Sequence, residues 1–565
     1  MKKMRVLSKK LATLLLTLVF IFAMTTSTFA AWSSFQKNNV NNGTLDSTPT
    51  PPITSSKTET QISLPNNGAY YSGVDNTPVV NGSRAYTLYN GGFTGSTGGA
   101  RLAATDTSGT PSLLWNYQVD PSSNNVQQLS TPYLDTAGNQ TIYAATTHYN
   151  NELAGTGVSG WKDSSNNPLS SFSFPVGTTT IHYDGLVVPS DYWESQLATD
   201  ILSSTASVSG TVTLTSGATS IPFGSNTYYY DPTVNNPFTL YNLNGTMVPA
   251  GTYTLTVSIT TNTTLAASSF QFLTSRWALY QIGNVSTNSV GSLSKTLLAS
   301  GYGQANSQID SIGNNLYFGI FEGDRSYYQY DLGTGTLTAF KPGSGDDFYW
   351  AGSAKATVSG TDYVVFGSQT NTVYVRPTGS TFGSAAGNSF TASGTSGKIR
   401  SCICSAGSYL YYTTMGGQLV RVTTSTILGT PTTTYRTLAN SSTSTPVVSS
   451  NGYIYAASSN GFSIGAVQGV QVSNFTGGIL QTVYSGDPVQ ASVAVWSNTT
   501  TKYDYLYFTT NSSSGSGYCY SFNTITPTAT QIWQTSTGTY TLQGFAADVG
   551  RLVFGNDSNT LFVIN

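Results

Sequence analysis

A chain of 565 residues is too long for one compact core, so it calls for several domains or one large closed β architecture. Charged residues make up 8% of it, about a third of the usual soluble fraction. Hydrophobic residues at 38%, aromatics at 12% and a net charge of −2 exclude a disordered chain. The scarcity of Glu, Lys and Arg excludes a helical bundle or coiled coil. The 57 Gly and 37 Tyr among abundant Ser, Thr and Asn suit many short strands joined by tight turns.

The first element is a targeting segment. Lys2, Lys3, Arg5, Lys9 and Lys10 form a basic head, and an uncharged apolar stretch runs from Leu11 to about Met24. Thr28 and Ala30 supply the small residues a signal peptidase requires, which predicts cleavage after Ala30. The stretch is shorter than the ~20 residues of a bilayer span. The expected mature protein is exported, secreted or surface-associated, with no membrane span. Cleavage takes five of the 22 basic residues and none of the 24 acidic ones, leaving a net charge of −7. That balance argues against nucleic acid or an anionic membrane as partner. Three cysteines are too few to staple an exported chain of this length.

Downstream, one short motif recurs: an apolar residue, Tyr or Val, then a small or aromatic residue. Its copies are Ala85-Tyr86-Thr87, Ile142-Tyr143-Ala144, Leu316-Tyr317-Phe318-Gly319, Val364-Val365-Phe366-Gly367, Leu410-Tyr411-Tyr412-Thr413, Ile454-Tyr455-Ala456, Leu506-Tyr507-Phe508-Thr509 and Leu552-Val553-Phe554-Gly555. From Tyr317 onward the steps are 48, 46, 44, 52 and 46 residues, the length of four short strands and their turns. Thr-Pro pairs open three units at Thr77, Thr131 and Thr445, where proline starts a strand without breaking a ladder. Eight copies predict an all-β, eight-bladed propeller. The last unit, roughly 541–565, has room for three strands, and Thr58–Leu64 alternates polar and apolar residues. The N-terminal run is therefore expected to supply the missing strand and close the ring.

The unit Asp331-x-x-Thr334-Gly335…Phe340, with looser forms Asp106-x-x-Gly109…Trp115 and Asn523…Trp533, resembles the tryptophan-docking repeat of quinoprotein-type propellers. The opening Trp32-Ser33-Ser34-Phe35-Gln36…Asn41-Asn42-Gly43 is similar to the first segment of those proteins. The resemblance implies an eight-bladed propeller of the pyrroloquinoline-quinone-binding-like superfamily, which includes dehydrogenases and cofactor-free scaffolds.

Tyr143 and Tyr317 are 174 residues apart, where two units span about 90 to 110. An insertion over 152–272 accounts for the excess, giving a signal peptide 1–30, propeller segments 31–151 and 273–565, and the inserted domain between them. Strand-like runs lie at Thr178–Tyr183, Ser207–Leu214, Thr227–Tyr230 and Thr252–Ile259. The run from Asn244 to Val257 resembles the closing strands of bacterial Ig-like domains, which implies an Ig-like β-sandwich. One helix is predicted here, capped by Pro189-Ser190-Asp191, with Trp193, Leu197 and Ile201 on one face. An insertion within a blade hairpin is expected to project as an independent, partner-facing module.

Chemistry-bearing residues are sparse. His148 and His182 belong to no spaced metal motif. Glu59, Glu152, Glu194 and Glu322 show no pairing for acid–base work. Cys402-Ile403-Cys404 falls on the expected first strand of the fifth unit, where alternation puts both sulfurs on one face. It reads as buried small residues, as does Cys519, because no second ligand pair accompanies it. A quinoprotein dehydrogenase needs a calcium site, a catalytic aspartate and usually a vicinal Cys-Cys ring, and Ile403 interrupts that pair. Asp310, Asp346, Asp347, Asp487 and Asp548 are candidate channel-mouth acids with no spacing that assembles a site. No catalytic, cofactor-binding or metal residue is therefore assigned. The expected role is a non-catalytic surface scaffold binding a protein or glycan. The alternatives are an oxidoreductase using calcium and pyrroloquinoline quinone in the central channel, and a self-assembling surface-layer or sheath subunit.

Overall fold

The computed structural model describes residues 38–565 apart from 42, 46–49, 67–72, 93–97, 121–128, 194, 202–207, 224, 232–235, 243–246, 344 and 385–386. The expected signal segment, Trp32–Gln36 and Glu194 lie outside the described residues. Among those residues no helix is long and apolar enough to cross a membrane. The chain is all-β, with seven four-stranded antiparallel sheets and a larger one built round the same strand order.

Numbered along the chain, sheets 1 to 8 begin with the strands Val79–Asn81, Tyr133–Asp135, Asp310–Ile312, Ser353–Val358, Cys404–Ala406, Val447–Val448, Ala494–Asn498 and Ala546–Asp548. The recurring apolar–Tyr/Val motif lies in the second strand of every one. Its residues are buried on both faces because each sheet is covered by neighbours on both sides. Each successive pair shares an apolar cluster: sheets 1 and 2 through Val79 and Ile142, 2 and 3 through Ala145 and Phe318, 3 and 4 through Tyr317 and Phe366. The series continues with 4 and 5, 5 and 6 and 6 and 7. One cluster then joins sheet 7 to sheet 8 and to sheet 1 through Tyr507, Phe554 and Tyr89.

Two-residue turns link first and second strands at Gly82, Gly313 and Gly407, where φ is 61°, 62° and 59°. The right-handed twist of the strands favours a turn that starts in this region, and glycine enters it without penalty. In sheet 3 the turn falls on Gly313-Asn314, and Asn315 already pairs with Ile312.

Glu59–Ser63 pairs antiparallel with Thr560–Ile564 and completes sheet 8, Ile62 standing opposite Leu561. A second N-terminal contact had no counterpart in the sequence reading. Residues 38–45 run across the first strands of five sheets. The side chain of Asn39 donates to Ser311 O (3.2 Å), and its carbonyl accepts from Lys355 N (2.7 Å). Val40 O accepts from Ser405 N (2.8 Å), Thr44 Oγ1 donates to Val448 O (3.1 Å), and Gly43 O accepts from Val495 N (3.0 Å). Asn41, fully buried, donates to both Ser353 O and Ile403 O.

In sheet 2 the second and third strands, Thr141–Asn151 and Phe270–Gly283, are long, and the residues between them add strands of their own. A five-stranded sheet includes Gly177–Val188, Val208–Ser216 and Gly251–Thr261. It faces a second layer made by Gln196–Thr199, Ser225–Asp231, Asn236–Asn242 and the start of Phe270–Gly283. Leu214, Leu255, Val257 and Ile259 from the first layer meet Leu197, Phe270 and Phe272 from the second. Trp161 sits among Phe172, Phe270 and Tyr183 at 5.6, 5.0 and 5.7 Å between ring centres.

The helix expected after Pro189 does not form. Gln196–Thr199 is a strand held between Asn236–Asn242 and Phe270–Leu273. Two flanking ladders and the β-favouring Tyr192, Trp193, Thr199 and Ile201 outweigh a cap-like sequence. Asp191 caps nothing helical; it accepts from Ala250 N (2.8 Å) and pairs with Arg325 (3.2 Å).

Nor does the inserted segment project freely. Its Trp193 N donates to Glu322 of sheet 3 (2.7 Å), which also accepts from Ser275 Oγ (2.7 Å) and Gln304 Nε2 (2.8 Å). Gly323 N donates to Asp191 O (2.7 Å). Glu322 and Arg325 both adopt left-handed φ, 50° and 48°, to present these groups. Glu322→Ala would orphan three donors, two of them buried, so we expect a loss of about 3 kcal/mol, read from urea denaturation.

Candidate functional site

The segments leading into the eight first strands converge on one axial cavity of about 100 Å³. Asn76, Thr131, Gln308, Trp350, Cys402, Thr445, Ser492 and Gln543, one from each sheet, stand two or three residues ahead of the strand and line it. Because the cavity lies on the N-terminal side of these strands and the N-terminal segment bonds further along them, that segment lies beyond the cavity, against the first strands of sheets 3 to 7.

Hydroxyl groups around the axis stitch neighbouring sheets together. Cys402 N donates to Thr445 Oγ1 (2.9 Å), and Thr445 N donates to Ser492 Oγ (2.9 Å). Thr443 Oγ1 donates to Gln490 O (3.2 Å). Such neutral pairs satisfy a buried backbone without burying charge.

The amides are less completely used. Asn511 donates to Gln490 Oε1 (2.9 Å) and Thr77 to Gln543 Oε1 (3.5 Å), so both side-chain carbonyls are engaged. Asn76 is 1% exposed, and neither its Oδ1 nor its Nδ2 has a partner. Trp350 enters the lining with φ at 59°, a conformation that costs a bulky residue energy, and its N–H reaches Asn306 Oδ1 (3.3 Å). Asp75 and Arg400 are the charged lining residues. Asp75 hydrogen-bonds to Asp557. The guanidinium of Arg400 lies 4.3 Å from the Tyr349 ring centre and reaches Gln369 Oε1 (3.4 Å).

The residues singled out in the sequence take structural positions. Cys402 lines the cavity and donates weakly to Trp350 O, whereas Cys404 packs against Tyr411 and Ile454 between sheets 5 and 6. The expected shared strand face does not hold, because pairing starts only at Cys404. Burial pushes both thiols up to about 12, and it also raises Cys519. Such thiols stay protonated and unreactive at neutral pH.

None of the five candidate acids lines the cavity. Asp310 is fully buried, accepts from Ser353 N (2.9 Å) and Oγ (2.8 Å), and is pushed up to about 7 by burial. Asp346 accepts from Tyr374 OH (2.8 Å) and Thr370 N (3.1 Å). Asp347, pushed up to about 6 by burial, accepts from Glu322 N (3.4 Å). Asp487 accepts from Ser512 Oγ (3.3 Å), and Asp548 from Gly82 N (2.6 Å). His148 pairs with Asp120 (3.1 Å) and His182 with Asn166 (3.1 Å). Among the described residues no group of three or more His, Cys, Asp or Glu side chains could hold a metal ion.

Four-stranded antiparallel sheets packed in succession, last against first, are the build of a β-propeller. Several solved structures, a WD40 β-propeller domain among them, are similar to this chain in part. BamB from Moraxella catarrhalis is 12% identical with a TM-score of 0.37, over 52% of this chain and 81% of that one. The computationally designed Ika8 protein is 10% identical, TM-score 0.39, over 89% and 98%. The WD40 β-propeller domain of Doa1 is 11% identical, TM-score 0.33, over 51% and 86%. No protein-family model matches the chain, and comparison with curated proteins found no match.

Proposed function

We propose that the chain is an exported, non-catalytic, eight-bladed β-propeller that binds a protein or glycan at the cell surface, with residues 152–272 as an Ig-like, partner-facing module. One observation carries the reading: the acids, thiols and imidazoles are committed to the fold, while the cavity is lined mainly by neutral amides and hydroxyls. General acid–base or nucleophilic catalysis needs such groups presented to a substrate at a suitable pKa. The basic head and apolar run of residues 1–30 support export.

A calcium–quinone pair does not fit the residues round the cavity. Calcium takes six to eight oxygens with carboxylates among them, and the lining carries one carboxyl, which Asp557 already engages. The space holds about seven to ten water-sized groups, too few for a tricyclic quinone with three carboxylates.

The module's outward sheet face supports a contact role. Ser209, Thr260 and Thr178 stand in one cross-strand row, Thr211, Ser258 and Thr180 in the next, then Thr213, Thr256 and His182. This flat hydroxyl array has little charge and pairs internally, Thr180 with Ser258 at 2.8 Å. The double substitution Thr213→Lys and Ser258→Lys places two charges there without touching the core. We expect the secreted variant to keep its melting temperature and to lose binding to envelope fractions in a pull-down. Unchanged binding would refute the module's role.

A further inference from the structure

We propose that the axial cavity is a lectin-like site for one neutral sugar unit. The inference rests on the binding-protein reading but concerns a different surface from the inserted module.

Its chemistry follows from what remains unsatisfied. A buried amide with no partner costs free energy, and folds rarely keep one without a compensating ligand or water. Asn76 is such a group, with donor and acceptor both open and 1% of its surface exposed. Gln490 and Gln543 each have their carbonyl engaged, which leaves an NH₂ on the same cavity. Amide donors and acceptors contributed from separate elements match the vicinal hydroxyls of a sugar, each of which both donates and accepts.

Charge points the same way. Asp75 is occupied by Asp557 and Arg400 by Tyr349 and Gln369, so the ionic groups on the wall already have local partners. A cation or anion entering here would meet mainly neutral groups and lose its hydration. A neutral polyol suffers no such loss.

Aromatic rings supply the stacking surface. Trp350 is held on the wall in a left-handed conformation, beside Tyr349 at 4.8 Å between ring centres. Tyr540, two residues ahead of the lining residue Leu542, meets Phe462 at 5.8 Å, and Phe462 is 67% exposed. Sugar C–H faces pack on aromatic rings, and an aromatic on the wall orients the ring whose hydroxyls the amides read. Space for about seven to ten water-sized groups takes a single ring and no more.

The test uses the secreted, mature protein and a panel of glucose, galactose, mannose and N-acetylglucosamine, with glucuronate and glutamate as charged comparators. Saturation-transfer NMR and calorimetry should show saturable binding of at least one neutral sugar and none of the charged ones. Asn76→Ala should weaken it by roughly tenfold or more, with a melting temperature equal to or above the parent's, because the side chain has no partner in the fold. The pair Gln490→Ala and Gln543→Ala should weaken it too, which covers the case in which one variant fails to fold. Absence of any neutral-sugar binding, preference for glucuronate or glutamate, or unchanged affinity in folded variants would each overturn the proposal. Envelope binding that responds only to Thr213→Lys and Ser258→Lys would leave the function reading standing while this one falls.

Discussion

Removing residues 38–64 is expected to leave a protein that no longer folds as a soluble monomer. Two losses coincide. Sheet 8 would keep three strands and present the edge Thr560–Ile564, whose Leu561, Phe562, Val563 and Ile564 are buried in the intact chain. An apolar unpaired edge of this kind recruits other chains. The crossing by residues 38–45 would vanish as well, and with it backbone or side-chain bonds to the first strands of sheets 3 to 7. Ile62 and Leu64 alone bury apolar side chains worth about 2–5 kcal/mol each on truncation to alanine. Together the losses approach the whole stability of a typical domain, about 5–15 kcal/mol. Light scattering of the truncated chain should show aggregates. Leu64→Ala in the full chain should stay monomeric with its unfolding free energy, read from urea denaturation, lowered by about 2–5 kcal/mol. A truncated chain that is monomeric and melts cooperatively would mean that closure comes from the cores between sheets alone.

The repeat was legible because its second strands are covered on both faces, so every unit needs the same apolar run. The docking-like motif was legible for a local reason too. Asp106, Asp331 and Asn523 each accept backbone N–H bonds in the turn between third and fourth strands, such as Asp331 from Gly333 (2.8 Å) and Thr334 (3.0 Å). The aromatic that closes the unit then reaches the next sheet. Trp115 Nε1 donates to Thr287 O (2.8 Å), Trp533 Nε1 donates to Pro52 O (2.9 Å), and Phe340 lies under Arg376 at 4.4 Å.

Other features left no such trace. The helix expected from Trp193, Leu197 and Ile201 was a periodicity of a few residues, and strands distant in sequence overrode it. The crossing by residues 38–45 divides its bonds between backbone groups, which no side-chain pattern reports, and the side chains of Asn39, Asn41 and Thr44, which belong to no repeat. The cavity was missed because a search for acids, imidazoles and thiols passes over amides. A polar amide two or three residues before the first strand, seen at Asn76, Gln308 and Gln543, was the available signal.

Raising the pH from 5 to 9 is expected to destabilise the protein, most of all where its first and last sheets meet. Asp75 and Asp557 hydrogen-bond to each other there, in loops already joined by Val74 N to Asn556 O (3.0 Å). Burial pushes Asp75 up to about 6, and burial together with the charge of its neighbour pushes Asp557 up to about 8. Their ordinary value is near 4. Between about pH 4 and 8 the folded chain therefore holds protons that the unfolded chain has released, and stability falls as pH rises through that window. Asp310, raised to about 7, and Asp347, raised to about 6, act with the same sign. Surface acids held low, such as Asp184 beside Lys162 and Asp362 beside Lys355, act oppositely and only below about pH 4. Stability should thus peak in the mildly acidic range. For the Asp75–Asp557 pair, allowing for partial solvent screening, the fall amounts to about 2 kcal/mol. Asp557→Asn keeps a hydrogen-bonding side chain and removes the second charge, so its melting temperature should fall less than the parent's between pH 5 and 9 and exceed the parent's at pH 9. A parent whose melting temperature climbs over the same range would show that the two carboxyls ionise freely, and that sheets 1 and 8 meet without a shared proton.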